Sequence, residues 1–384
     1  MAARPGTRYF SKGMVLALAL IVAGLNGCGM SGSMPAPAAS TVTSFAFVTS
    51  TATGSVSAFA VHSSGALTPV AGSPFASGAG AEMMAFDPLH NFLFVSNQSA
   101  NSLTVFAVDT SSGKLTAVAG SPFATAATPH GVAVDPAGKF VYVATEGGGI
   151  SAFAINGATG SLVPLSGSPF LGLTSAFGVA MAPAGNALYV NNFNSNTVSA
   201  FQVDSLTGAL TLMGGSPMLS ANTASGFATP IGLATDGKQL FVGDHMSEVI
   251  VPFAINAGGA ITAPAALPTT ASGCSVSCHN NPLRMAIHPQ DKFLYAANVQ
   301  AGTLSTFSIG AGALSSISEV PVGQHPFGVA LTPAGNFLYV VNKVDNTVSA
   351  FSVDASGKPS PLTGSPFADS SLNAPTDIVI VGMK

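Results

Sequence analysis

The chain repeats itself, and the repeat dictates the fold. One unit reads Pro129-His130-Gly131-Val132-Ala133-Val134, then Asp135-Pro136-Ala137-Gly138, then Lys139-Phe140-Val141-Tyr142-Val143 and Ile150-Ser151-Ala152-Phe153-Ala154-Ile155. After a glycine-rich turn it runs through Ser161-Leu162-Val163-Pro164-Leu165 to Gly167-Ser168-Pro169-Phe170. The aromatic residue of the Ser-Ala-Phe-like segment returns at Phe59, Phe106, Phe153, Phe201, Phe253, Phe307 and Phe351, at spacings of 44 to 54 residues. A second series agrees with it: Phe47, Phe94, Tyr142, Tyr189, Phe241, Tyr295 and Tyr339. Each unit holds four short, alternating apolar segments separated by turn clusters, the signature of antiparallel strands. Four strands per repeat make one blade, and seven blades make an all-β, seven-bladed β-propeller with four antiparallel strands per blade. Helical periodicity is absent, which removes a helical solenoid.

The two ends of the repeat region specify how the ring closes. Ser44-Phe45-Ala46-Phe47-Val48 starts without the preceding Gly-Val-Ala-Val-Asp type of segment. Pro375-Thr376-Asp377-Ile378-Val379-Ile380-Val381 is that segment with no blade after it. The C-terminal strand is therefore expected to complete blade one and to remove an open sheet edge. The composition suits such a ring. Both faces of a blade pack against neighbours, and only 26 of 384 residues are charged. With 11 Lys plus Arg against 15 Asp plus Glu, the chain lacks the basic surface that nucleic acid demands.

Phe337-Leu338-Tyr339-Val340-Val341-Asn342 followed by Asn346-Thr347-Val348-Ser349-Ala350-Phe351, with the matching run Ala187–Asn192 and Asn196–Phe201, resembles the lactonase-like seven-bladed propellers. That group includes 6-phosphogluconolactonase and carboxymuconate-cyclising enzymes and overlaps the YVTN-repeat propellers. The resemblance covers about residues 44 to 384. For active members it implies a His before the inner strand of one blade, an Arg-His pair at the same place in another, and a Glu in a following loop. His130 matches the first. Leu283 and Arg284 stand where the Arg and His belong, and Phe193 and Val299 replace the loop Glu of blades four and six.

The residue just before or at the start of each inner strand is expected to face the channel mouth, giving the column Thr376, Glu82, His130, Phe177, Ile231, Leu283 and Phe327, with Arg284 and His325 beside it. Loops after the second strands add Glu146, Asn192, Asp244, His245, Glu248 and further asparagines. Glu82, Glu146, Asn192, Asp244, His245 and His325 form the expected ligand-binding rim. A rim poor in Arg and Lys suits a small neutral ligand such as a sugar or lactone better than a phosphorylated one. Two functions compete: a ligand-binding or protein-interaction scaffold, favoured because the family's polar set is incomplete, and a lactonase-like hydrolase with His130 as general base and Arg284 as oxyanion stabiliser. No cofactor is expected. Asp244, His245 and Glu248 have the donor types for a divalent cation, but three groups in one loop without a spaced partner read as a hydrophilic turn, so no metal is expected either. The chain is expected to be a monomer.

Outside the repeats, Arg4, Arg8 and Lys12 precede an apolar run from Met14 to Leu25, which ends in Asn26-Gly27-Cys28. The run is short for a bilayer span and reads as an export signal. Its end resembles a lipoprotein lipobox, with Asn26 an unusual occupant; secretion without lipid and an uncleaved short anchor are the alternatives. The expected organisation is a signal peptide over 1–27, a lipidated Cys28 with a flexible tether to residue 43, and the propeller over 44–384, anchored to the outer side of a membrane in the periplasm or at the cell surface. Cys274 and Cys278 lie in a long insertion between blades five and six. In an oxidising compartment they read as a disulfide; haem attachment through the adjoining His279, or zinc, would use the same residues. Substituting Cys28→Ala is expected to abolish membrane retention or stall processing, read by fractionation and the mass of the mature chain; unchanged retention and processing contradicts the lipid anchor.

Overall fold

The computed structural model describes residues 40–147, 149–220, 230–244, 248–264 and 282–384. Among these residues the strands form seven antiparallel sheets, six of them ordered as consecutive strands of one repeat. The only helix among them is a single 3-10 turn, Phe193–Ser195. The closing strand is where the repeat places it: Pro375–Gly382 lies beside Val42–Ser50, with Phe45 opposite Val381 and Phe47 opposite Val379. Blade one is thus inner strand 375–382, then 42–50, 55–62 and 67–69 in sequence.

The core lies between blades rather than within one. Phe45 and Phe47 of blade one pack with Leu93, Val95 and Phe106 of blade two, while Ala46, Val48 and Phe59 on the opposite face pack with Tyr339 and Val341 of blade seven. Alternation along each strand delivers one set of side chains to each neighbour. The recurring second-strand aromatics are all fully buried. Where that aromatic is Tyr, its hydroxyl reaches the turn of the next blade: Tyr142 donates to the Gly208 carbonyl at 2.9 Å, Tyr189 to Gly259 at 2.8 Å, Tyr295 to Gly357 at 2.9 Å and Tyr339 to Gly65 at 2.8 Å. Burial pushes the Tyr189 phenol up to about 12, so these donors stay protonated.

The fourth strand departs from the simple reading. In blades one, two, four and seven it is split into two short pieces that both pair with the third strand, as Leu67–Pro69 and Phe75–Ala76 do in blade one. The Gly-Ser-Pro-Phe motif spans the break. Its serine accepts a third-strand amide at the gap, Ser73 from Ala58 at 2.9 Å and Ser121 from Val105 at 2.9 Å, and the same bond recurs at Ser168, Ser216 and Ser365. The motif satisfies a donor that the broken strand would otherwise leave unpaired.

All seven inner strands carry a one-residue bulge at their first turn, as between Ala81 and Met84 or Pro129 and Val132. The residue before the strand is left-handed at Gly80, Thr128, Ser175, His325 and Ala374, with φ of 50 to 75°. A bulge re-aims the side chain it carries, and here it recurs at the same point of each inner strand. Deleting residues 374–384 strips the first blade of its inner partner; at about 1 kcal/mol or more for each buried group left unpaired, stability should fall by several kcal/mol, read by thermal denaturation. A truncated chain that melts like the full chain contradicts this closure.

Candidate active site

Two rings of side chains surround one mouth of the channel. Among the described side chains, the inner ring is the second residue of the inner strand: Thr376, Glu82, His130, Phe177, Leu283 and Phe327. The outer ring is the first residue after the second strand; in five blades its amide is fixed by donating to the left-handed residue's carbonyl: Gln98 to Gly80, Glu146 to Thr128, Phe193 to Ser175, Lys343 to His325 and Thr51 to Ala374. Inner and outer members of a blade meet. Thr376 and Thr51 share a hydroxyl hydrogen bond at 3.0 Å, His130 faces Glu146 at 3.6 Å, and the Phe177 and Phe193 rings lie 6.1 Å apart. Leu283 and Val299 pack together with Phe177, Phe193 and Phe327, and the Lys343 ammonium sits 4.9 Å over the Phe327 ring.

The mouth is consequently divided. Blades one to three supply hydroxyls, carboxylates and an imidazole; blades four and six supply hydrocarbon. His130 stands at the border, stacked on Phe177 with ring centroids 4.2 Å apart. Its Nδ1 is 2.7 Å from Glu82 Oε2, and its Nε2 is buried with no hydrogen-bond partner. Burial disfavours the imidazolium, but the hydrogen bond and charge of Glu82, followed by the Glu146 carboxylate 3.6 Å away, outweigh it and hold His130 above its ordinary 6.5. Gly131 lets the strand lie this close to its neighbour, because a Cβ there would come within 2.7 Å of the Phe177 carbonyl oxygen.

A second ion pair crosses the mouth. Arg284 Nη2 of blade six is 3.2 Å from Asp377 Oδ2 of blade one. The same carboxylate oxygen accepts the Met84 amide at 2.8 Å. Burial pushes the Asp377 carboxyl up, opposed by Arg284 and the amides of Met84 and Ile378 and reinforced by the charge of Glu82, with the net direction upward. Glu82 and Asp377 are tied through their backbones as well. Thr376 and Thr49 donate to the Glu82 carbonyl at 2.9 and 2.8 Å, and Thr49 accepts the Asp377 amide at 2.9 Å. The chain His130, Glu82, Thr376–Asp377, Arg284 is thus one connected wall.

The family "Lactonase, 7-bladed beta-propeller" matches the sequence over residues 37–176, 178–273 and 258–372. The chain belongs to that family. Among solved structures, this lactonase-family propeller is similar to a candidate 6-phosphogluconolactonase from Bacteroides fragilis, with 20% identity, 90% of this chain and all of that one covered, and a TM-score of 0.71. A periplasmic gluconolactonase from Pseudomonas aeruginosa matches at 17% identity, with 90% and 100% covered and a TM-score of 0.71. A protein from Lactobacillus plantarum matches at 20% identity, 89% and 100% covered, and a TM-score of 0.71. At such identities the likeness concerns the fold. No curated protein matches the sequence.

Within this lactonase-family propeller the rim residues read from sequence separate into two groups. Glu82, His130 and Glu146 are in mutual contact, and Arg284 joins them through Asp377, whose neighbour Thr376 holds the Glu82 carbonyl. Asn192 does not reach the mouth: it is buried, and its amide donates to Thr197 and Ser199 at 2.9 Å each. Asn97, Asn298 and Asn342 make the equivalent pair of bonds in their own blades. Asp244 occupies the same register position, is fully buried and accepts from Ser220 at 3.0 Å. Side chains alternate faces, so in blade four the last strand residue points into the blade and the next, Phe193, belongs to the rim. His325 is exposed beside the rim in a left-handed conformation. His245, Cys28, Cys274, Cys278 and His279 lie outside the described residues. Asp377 and the Glu82–His130 pairing were not anticipated, although a lone acid inside an otherwise Val- and Ile-rich closing strand was a visible signal.

The imidazole of His130, followed by NMR, should titrate above 6.5, because Glu82 and Glu146 favour its charged form. Glu82→Gln removes an anion and the strongest hydrogen-bond acceptor, so the titration should move to lower pH. An unchanged midpoint in that variant contradicts the coupling.

Proposed function

We propose that the channel mouth hydrolyses an uncharged lactone. The observation that carries this reading is the His130–Glu82 pair, with Nδ1 anchored to a buried carboxylate and Nε2 left without a hydrogen-bond partner. A histidine fixed in this way has one nitrogen for orientation and one for proton transfer. In the neutral form His130 takes a proton from water as the water oxygen bonds to the lactone carbonyl carbon. The guanidinium of Arg284 faces the developing oxyanion, with Asp377 fixing its position. Collapse of the tetrahedral intermediate breaks the ring C–O bond, and the imidazolium returns its proton to the leaving alkoxide, giving the hydroxy acid. The apolar half of the mouth, Phe177, Phe193, Leu283 and Phe327, offers a face for the carbon skeleton of the ring.

A substrate without phosphate fits best. Around the polar wall stand Glu82, Glu146 and Asp377 against Arg284 alone, and Lys343 lies across at Phe327. Export supports the same direction, and rests on the N-terminal signal and the Gly27-Cys28 junction of this chain. The lipid anchor and a Cys274–Cys278 disulfide belong to the same proposal. Binding without turnover is the second reading, and one observation favours it: Nε2 is buried, and Glu146 stands 3.6 Å from it. Hydrolysis requires that exposed carboxylate to swing aside.

A panel of phosphorylated and unphosphorylated lactones decides between the two. Hydrolysis of unphosphorylated lactones is expected, falling about 100-fold or more in His130→Ala, the usual contribution of a general base, and comparably in Arg284→Gln. The rate should rise with pH along a limb whose midpoint lies above 6.5, because the base must first lose its proton. Saturable binding of a sugar or peptide with no turnover of any lactone would establish the binding reading instead.

A further inference from the structure

The ring-closing strand does more than complete a sheet. Six inner strands present a small, apolar or basic residue at the position after the rim residue, namely Met83, Gly131, Gly178, Gly232, Arg284 and Gly328 or its register equivalent, whereas the closing strand presents Asp377. Its side chain is nearly inaccessible at 10% exposure, and Arg284, at 20%, extends from blade six past blade seven to meet it. Gly328 makes room for this strand: a Cβ there would lie 2.8 Å from the Asp377 Cα. The Met84 amide and the Arg284 guanidinium both address Oδ2, so the carboxylate is held from two sides. Arg284 is the one guanidinium of the mouth among the described residues, and its charge is already matched.

We propose that Asp377 is a positioning residue that sets the charge specificity of the mouth: by holding and neutralising Arg284 it admits neutral lactones and excludes ligands carrying a phosphate or a free carboxylate. The proposal rests on the mouth being the lactone site, and it gives that site a rule. An unpaired guanidinium would recognise phosphate or carboxylate bidentately. Paired with Asp377 and flanked by Glu82 and Glu146, it stands in a wall with more negative than positive charge, which disfavours a ligand that arrives as a full anion, while its N–H groups still donate to a carbonyl oxygen as charge develops there. The ring-opened acid formed at the site is such an anion, so the same pairing favours release of product over its retention.

The test reads anion binding directly and does not need turnover. Binding of 6-phosphogluconate and of gluconate is measured by calorimetry at low ionic strength in the full chain, in Asp377→Asn and Asp377→Ser, and in each variant combined with Arg284→Gln. Asn keeps the shape of Asp; Ser keeps a small acceptor near the Met84 amide. Thermal melting reports whether each variant is folded. Weak binding is expected in the unaltered protein. Removal of one anion at contact distance should tighten it about tenfold or more, and the gain should vanish with Arg284→Gln. A merely structural role for Asp377 predicts no gain of affinity. Three results overturn the proposal: tight anion binding by the unaltered protein, a folded Asp377 variant with no gain, or a gain that survives Arg284→Gln. Failure of neutral lactones to turn over would instead strike the hydrolytic reading and leave the anion measurement intact.

Discussion

Pairing of the last strand with the first is the interaction on which the remaining structure depends. It joins residues separated by more than three hundred positions, Ser44 with Gly382 and Phe47 with Val379. Without it the ring has an open edge, and an unpaired edge is both a loss of hydrogen bonds and a liability for association. It also brings Thr376 and Asp377 to the mouth, where they hold the Glu82 backbone and the Arg284 guanidinium. Fold closure and site assembly are therefore one event in this protein.

The site owes its geometry to a local backbone device repeated around the ring. In five blades, among the described residues, a left-handed residue, a bulge and a latched loop bring two side chains together at the mouth. Thr128 shows that the device matters, since a β-branched residue is a poor occupant of left-handed space, yet it holds this conformation directly before Pro129 and His130, its amide bound by Asn101 at 2.8 Å. Because the scaffold is uniform, chemistry can vary blade by blade without altering it. The polar wall of blades one to three and the hydrocarbon of blades four and six are two decorations of one frame.

The frame was legible in the sequence because its signals are periodic. Recurring aromatics at Phe59 through Phe351 gave the blade number, the orphan segment at Pro375 gave the closure, and the same alignment gave the inner column of Glu82, His130, Phe177 and Leu283. What periodicity could not supply was reach across the channel. Nothing in the spacing of Arg284 and Asp377 announces that a long side chain from blade six meets a short one from blade one. Asn192 and Asp244 illustrate a different limit: a loop boundary displaced by one residue inverts the facing of a side chain. A polar residue at a strand end looks the same in sequence whether it binds a ligand or caps its own blade with hydroxyl partners such as Thr197 and Ser199.

The central claim is that one substrate sits between His130 and Arg284, with its carbon skeleton on the aromatic side of the mouth. The most direct measurement is a crystal structure with a lactam, whose ring nitrogen replaces the hydrolysed oxygen and resists opening. The account predicts the lactam carbonyl oxygen directed at the Arg284 guanidinium, the carbonyl carbon near His130 Nε2, Glu146 turned outward, and the ring resting on Phe177 or Phe327. A lactam bound on the opposite face of the ring, or at the mouth with its carbonyl turned away from both His130 and Arg284, would contradict it.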